Sequence, residues 1–280
     1  MDGGTDRSTG LVVGLGDRRY RVIHPWNRTE LGHLSQLAVD STGRVYAFQR
    51  TGSPIVVLSP DGEFVGSWGS GVISDAHGIC ITQDDRVLLV DRDAHQVLIF
   101  DTAGRLQSTI GERHRPRFGA PFNHPTDIAV APDGALYVSD GYGNAHVHCF
   151  GPDGRHRLTW GGVGSGPGEF STPHGVWVQP DGRVLVSDRE NNRIQVFSPD
   201  GKFLAAWGEL YHPMDIWGAP DGTVFVTDQA PRIVAFAPDG TILGRCKVVA
   251  TIGHGIWGDR QGNLFQCEHT GRLTKLELIV

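Results

Sequence analysis

Long apolar runs are missing from this sequence: none approaches the roughly 18 residues that a membrane-spanning helix needs, so no segment reads as a span. Basic charge is also in short supply. Lys and Arg number 25 against 31 Asp and Glu, a formal charge of −6, and no basic footprint suits the chain to a phosphate backbone. Neither nucleic acid nor a membrane is therefore an expected partner. The opening residues, Met1-Asp2-Gly3-Gly4-Thr5-Asp6-Arg7, offer no basic n-region or apolar core of a signal peptide, so a cytoplasmic location is expected. Cysteine is scarce as well. Cys80, Cys149, Cys246 and Cys267 form no CxxC pair, which removes a zinc ribbon or disulfide framework and leaves buried free thiols as the expectation.

What the chain does have is glycine (39) and proline (16), spaced by short runs of Val, Ile, Leu, Phe and Trp. That is the composition of many strands joined by tight turns. One pattern recurs about every 40 residues: a strand, an Asp-Gly type turn, a second strand ending in an acid, a polar turn and two further strands. Copies begin near Leu34, Ala76, Pro125, Pro173, Pro213 and Gly253, with first turns Thr42-Gly43, Asp84-Asp85, Asp133-Gly134, Asp181-Gly182, Asp221-Gly222 and Gln261-Gly262. Six copies predict an all-β, six-bladed β-propeller over residues 10–280, its repeats resembling NHL repeats, with residues 1–9 disordered. The sixth copy runs out before a fourth strand. Either Leu11-Val12-Val13 or the stretch from Tyr20 to Trp26 is expected to supply it and close the ring.

Aligned on the first strand, one column reads Gln36, His77, Asp127, His174, Asp215 and His254. In a propeller the first strand lines the central channel and alternate blades lie roughly 120° apart, so the three histidines converge on the axis. Three imidazoles with open neighbouring positions form a catalytic metal site, with Zn2+ or another divalent transition metal as occupant. A lone histidine there would more simply satisfy backbone groups; three at one repeat position favour the metal. Asp127 and Asp215 are expected either to fix the imidazole tautomers from behind or to stabilise turns. His146 and His148 form an HxH pair on a third strand, away from the axis, where packing explains them.

A second column, one residue past the acid that ends each second strand, reads Arg50, Arg92, Gly141, Arg189, Gln229 and His269. If it faces the same mouth, Arg50, Arg92 and Arg189 form a cationic wall able to grip a small substrate bearing a carboxylate. Each could instead pair with a neighbouring acid. Tyr142 follows Gly141 and is a candidate general base beside the metal.

The segments Asp140-Gly141-Tyr142-Gly143-Asn144, Gly168 to Gly175 and Ser187 to Gln195 resemble in order the core of peptidyl-α-hydroxyglycine α-amidating lyase. The resemblance runs from about Phe48 to Phe197 and implies a propeller whose zinc ligands correspond to His77, His174 and His254. It also implies Tyr142 as the catalytic tyrosine, and Arg50 and Arg189 as active-site arginines. The implied reaction cleaves a carboxylated N-acyl hemiaminal to an amide and glyoxylate, with α-hydroxyglycine or ureidoglycolate-like compounds as substrates. This chain departs from the family at Gly143, where the family has a disulfide cysteine, at Gly255, where it has a calcium-associated Asp, and at Arg92, where it has an apolar residue. Two other functions fit the fold: a non-catalytic propeller that binds a protein or peptide, and a metal-dependent hydrolase of the lactonase type, whose oxygen-rich sites suit calcium.

Overall fold

The computed structural model describes residues 8–248 and 251–280. The Asp-Gly turns and apolar second strands of the sequence build six antiparallel sheets around one axis. The first strands are Leu34–Val39, Ala76–Ile81, Asp127–Val130, Pro173–Val178, Pro213–Gly218 and Gly253–Gly258. Each packs against the first strands of both neighbouring blades, with blade six meeting blade one, so these strands line the channel. The second strands, such as Val184–Asp188 and Val224–Asp228, are buried on both faces. Six apolar clusters fill the seams between blades, and fourth strands such as Phe64–Trp68 lie at the half-exposed rim.

Five blades keep the order first, second, third, fourth. The sixth sheet runs Gly253–Gly258, Leu264–Glu268, Arg272–Leu278, then Arg18–Ile23, then Ser8–Leu15. Of the two closing segments the sequence offered, Arg18–Ile23 is the fourth strand, pairing Tyr20 with Leu278 and Ile23 with Lys275. Leu11-Val12-Val13 lies one position further out, in a fifth strand hydrogen-bonded to Arg18–Ile23. Of the residues expected to be disordered, 1–7 lie outside the described residues, and Ser8 and Thr9 open that fifth strand.

Blade two replaces the usual turn glycine by Asp85, which takes a φ of 61°. The left-handed region is costly for a residue with a Cβ. Here the carboxylate offsets that cost by bridging blades, accepting from Ser41 N at 2.8 Å and from Ser41 Oγ at 2.6 Å. All four cysteines are buried free thiols, and among the described residues no helix is long and apolar enough to cross a membrane.

Candidate metal centre and active-site mouth

The site begins with a defect in the strands. In five blades the pairing of first and second strands slips by one residue just after the opening residue: between Leu34 and Gln36, Ala76 and Ile79, Pro173 and Val176, Pro213 and Ile216, and Gly253 and Gly255. A bulge of this kind breaks the inward–outward alternation of side chains. Second and third residues therefore both line the axial cleft.

The pairing also separates what the sequence alignment had merged. Leu34 faces Gln49, Ala76 faces Asp91, Pro173 faces Asp188, Pro213 faces Asp228 and Gly253 faces Glu268. The second residues are thus Ser35, His77, Thr126, His174, Met214 and His254, and the third are Gln36, Gly78, Asp127, Gly175, Asp215 and Gly255. Histidine and carboxylate occupy adjacent layers rather than one.

In the first layer the three histidines meet. His77, His174 and His254 are buried, and their ligand nitrogens all lie within 4.8 Å of one another. His77 Nδ1 donates to Thr126 O at 2.6 Å and His174 Nδ1 to Met214 O at 2.8 Å, each to the second residue of the next blade. A ring whose Nδ1 carries the proton presents the Nε2 lone pair. The equivalent carbonyl for His254 is Ser35 O, which accepts instead from Cys267 Sγ at 3.6 Å. His254 rests against His269, with ring centroids 4.6 Å apart. Burial keeps all three imidazoles neutral. It pushes His77 and His254 well below the usual range, aided by the neighbouring His174, and lowers His174 to about 3, aided by Arg189. Neutral, convergent imidazoles, two of them anchored on backbone carbonyls, fit a divalent transition metal on physical grounds.

The second layer corrects one expectation. Asp127 and Asp215 do not set the tautomers, since backbone carbonyls do so for His77 and His174. Asp127 Oδ2 accepts from Val176 N at 3.0 Å and Asp215 Oδ2 from Ile256 N at 2.8 Å, while Gln36 Oε1 accepts from Ile79 N. Each side chain of an odd blade thus serves an amide next to the bulge of the following even blade. On its other side each odd-blade residue abuts a glycine of the preceding even blade: a Cβ on Gly78 would stand 2.7 Å from Asp127 Cα, and one on Gly255 2.9 Å from Gln36 Cα. Burial raises both carboxyls, Asp215 to about 6 and Asp127 well above its usual value, the latter also through Asp215 beside it.

Around the mouth stands the arginine column. Tyr142, 39% exposed, places its hydroxyl 3.1 Å from His77 Nε2 and 3.2 Å from His174 Nε2. Arg92 and Arg189 lie over its ring at 5.6 and 5.4 Å, and Arg189 Nη1 donates to the phenol oxygen at 3.3 Å. The arginines also have acidic partners. Asp75 lies 3.6 Å from Arg50 and 3.0 Å from Arg92, Asp93 2.8 Å from Arg92, and Glu190 2.8 Å from Arg189. The wall is therefore held in place by acids at its back.

Several residues of the mouth were not singled out from the sequence. Asp75 and Glu190 lie outside the aligned columns and carry no repeat signal. His269 does close the arginine column, and it packs on both His254 and His33 with Nδ1 donating to Leu34 O at 2.8 Å. His148, assigned to packing, is buried and bonds Asp140 at 3.1 Å; Asp140 also accepts from Asn123 N and Asn144 Nδ2, which fixes the turn carrying Tyr142.

Comparison with known proteins adds relatives to this geometry. NHL repeats match at residues 122–150 and 170–197. Over 160 aligned positions, 53% of this chain, the sequence is 37% identical to peptidylglycine alpha-amidating monooxygenase of Rattus norvegicus, of which the match covers 16%. Over 222 positions, 66% of this chain, it is 29% identical to peptidyl-alpha-hydroxyglycine alpha-amidating lyase 1 of Drosophila melanogaster, of which 41% is covered. The chain thus spans less than half the length of either relative. A gluconolactonase of Xanthomonas campestris shares the fold with a TM-score of 0.73 at 16% identity, over 99% of this chain and 93% of that one.

Proposed function

We propose that this NHL-repeat six-bladed propeller, similar in sequence to the amidating lyases, is a metal-dependent carbon–nitrogen lyase acting on a carboxylated N-acyl hemiaminal. The substrate class is R-CO-NH-CH(OH)-COO⁻, and the products are the amide R-CO-NH2 and glyoxylate. One observation carries the reading: the Tyr142 hydroxyl sits against two of three convergent imidazoles, with guanidinium groups on its ring.

His77, His174 and His254 are the residues that would hold the metal, Zn2+ or another divalent transition ion, which when bound supplies a Lewis acid for the substrate's oxygen. Tyr142, acting from its deprotonated oxygen, would receive the carbinol proton as the C–O bond becomes a carbonyl and the C–N bond breaks. The same proton then goes to the departing amide nitrogen, so the reaction balances without water, oxidant or reductant. Arg189, which touches the phenol oxygen, orients the substrate carboxylate and keeps it in line with that proton transfer. Arg50 and Arg92 add positive potential to the same wall, with their guanidinium Nε atoms held by Asp75. Imidazole rather than carboxylate donors at the mouth separate this site from the lactonase type. A cytoplasmic location agrees with the four free thiols.

The deciding experiment pairs metal content with product release. Elemental analysis of the wild type should give about one transition metal per chain, lost in His174→Ala at matched circular dichroism. The loaded protein should release glyoxylate from N-benzoyl-α-hydroxyglycine or from ureidoglycolate, and Tyr142→Phe should slow release ~10²–10⁴-fold with KM nearly unchanged. A protein that takes up no metal on reconstitution and releases no glyoxylate would be a binding scaffold instead.

A further inference from the structure

The end of the channel opposite the three histidines holds a cavity of about 670 Å³, and its walls are unequal. The fifth residues of the six first strands are Ala38, Cys80, Ala129, Trp177, Trp217 and Trp257. Strand pairing confirms the column, since Trp177 faces Leu185, Trp217 faces Phe225, Trp257 faces Phe265 and Cys80 faces Leu88. Half the ring carries indoles and the other half small side chains. Six large residues would fill the channel and six small ones would leave it bare; this arrangement leaves room beside aromatic faces.

The indoles are individually placed. The sixth residues of blades five and six are glycines over which the preceding blade's indole lies. A Cβ on Gly218 would stand 2.3 Å from Trp177 Nε1, and one on Gly258 2.3 Å from Trp217 Cη2. Trp257 has no such seat, because the corresponding residue of blade one is Val39. Its ring packs instead against apolar clusters drawn from blades one, two, three, five and six, which places it across the axis. It also stands edge-on to Trp177, with centroids 5.8 Å apart and planes at 81°. Trp257 therefore floors the cavity and separates it from the His layer, three residues and ~10 Å back along the strand.

We propose that this cavity is a binding site for a small, uncharged, planar ring compound that stacks on Trp177 and Trp257 from the side of blades two and three. The volume and the predominantly apolar lining suit a ligand of that size. The charge of the rim selects against ions: its charged members are Asp84 and Arg86, paired to each other at 3.2 Å.

Indole is the probe. In the 15N-labelled chain the seven indole N–H signals report every tryptophan. Titration should shift those of Trp177, Trp217 and Trp257 saturably, with one site per chain, and leave Trp26, Trp68, Trp160 and Trp207 in place. Ala131→Trp, which fills the cavity from its blade-three wall, should weaken binding at least tenfold at unchanged circular dichroism. Indole-3-acetate should bind more weakly than indole. Shifts that do not saturate, or that centre on the other four tryptophans, overturn the site, as does wild-type affinity in a folded Ala131→Trp protein. Tighter binding of the acid overturns the uncharged class. Should Ala131→Trp fail to fold, the wild-type shift map decides alone.

Discussion

At the scale of single residues, the mouth gives its arginines fixed acidic partners and gives His77 and His174 a fixed tautomer. Arg189 is the arginine in contact with the Tyr142 hydroxyl, so its loss should fall on substrates in proportion to their negative charge. Arg189→Ala is expected to raise KM for a carboxylate substrate far more than for its methyl ester, and steady-state kinetics on the pair read the difference. The buried imidazoles also tie stability to pH. His174 has a pKa of about 3 in the fold against 6.5 when exposed, so the unfolded chain binds more protons between those values. Its contribution is complete above pH 6.5 and drains as pH falls toward 3, at up to ~1.4 kcal/mol per unit. Asp215, raised from 3.8 to about 6, has the opposite sign: its contribution is complete below pH 3.8 and lost as pH rises through 6. In chelator-treated protein, His174→Asn should flatten the acid loss of Tm between pH 6.5 and 4, and Asp215→Asn should steepen it. Thermal melts across that range check both signs.

At the scale of elements, the bulge explains why much of the site could be read from the sequence and why one part could not. Period, blade number and the converging histidines follow from repeat spacing, because each copy must bury the same faces. The carboxylates were legible as residues but not in position, since an alignment assigns one inward residue per blade where the bulge provides two. Asp127 and Asp215 consequently read either as companions of the imidazoles or as turn stabilisers, while their partners are the amides of Val176 and Ile256. Asp75 was invisible for another reason: it precedes the first strand of blade two, and its carboxylate faces Arg50 and Arg92. The turn bearing Tyr142 shows the same dependence on close packing. Gly141 holds the column position that is arginine on three other blades, and a Cβ there would stand 2.0 Å from Pro173 O, directly before His174. Gly141→Ala should cost ~1–3 kcal/mol through that clash and, by moving Tyr142 relative to His174, lower kcat more than stability alone explains. Urea melts and glyoxylate release on the same preparation separate the two effects.

At the scale of the whole molecule, the site exists only while the ring is closed. The three convergent histidines sit on blades two, four and six, and blade six is completed by Arg18–Ile23 from the opposite end of the described chain. Beyond the ladder, that junction includes backbone bonds from Arg19 N to Val280 O and from Trp26 N to Leu273 O, both at 2.7 Å, and an edge contact between Trp26 and Phe265. Ser8–Leu15 lies outside it, and most of that strand is exposed. Two truncations should therefore behave differently. Removing residues 1–14 leaves the fourth strand of blade six in place, so unfolding should stay cooperative with Tm lowered by a few degrees. Removing residues 1–23 leaves the edge of Arg272–Leu278 unpaired and uncovers Leu276 and the rest of its cluster, so cooperative unfolding should be lost. Metal uptake makes the comparison functional: His254 lies two strands in from that edge, and only the longer deletion should abolish binding of one equivalent of Zn2+. If the 1–23 deletion still melts cooperatively and still binds zinc, the ring does not depend on this closure.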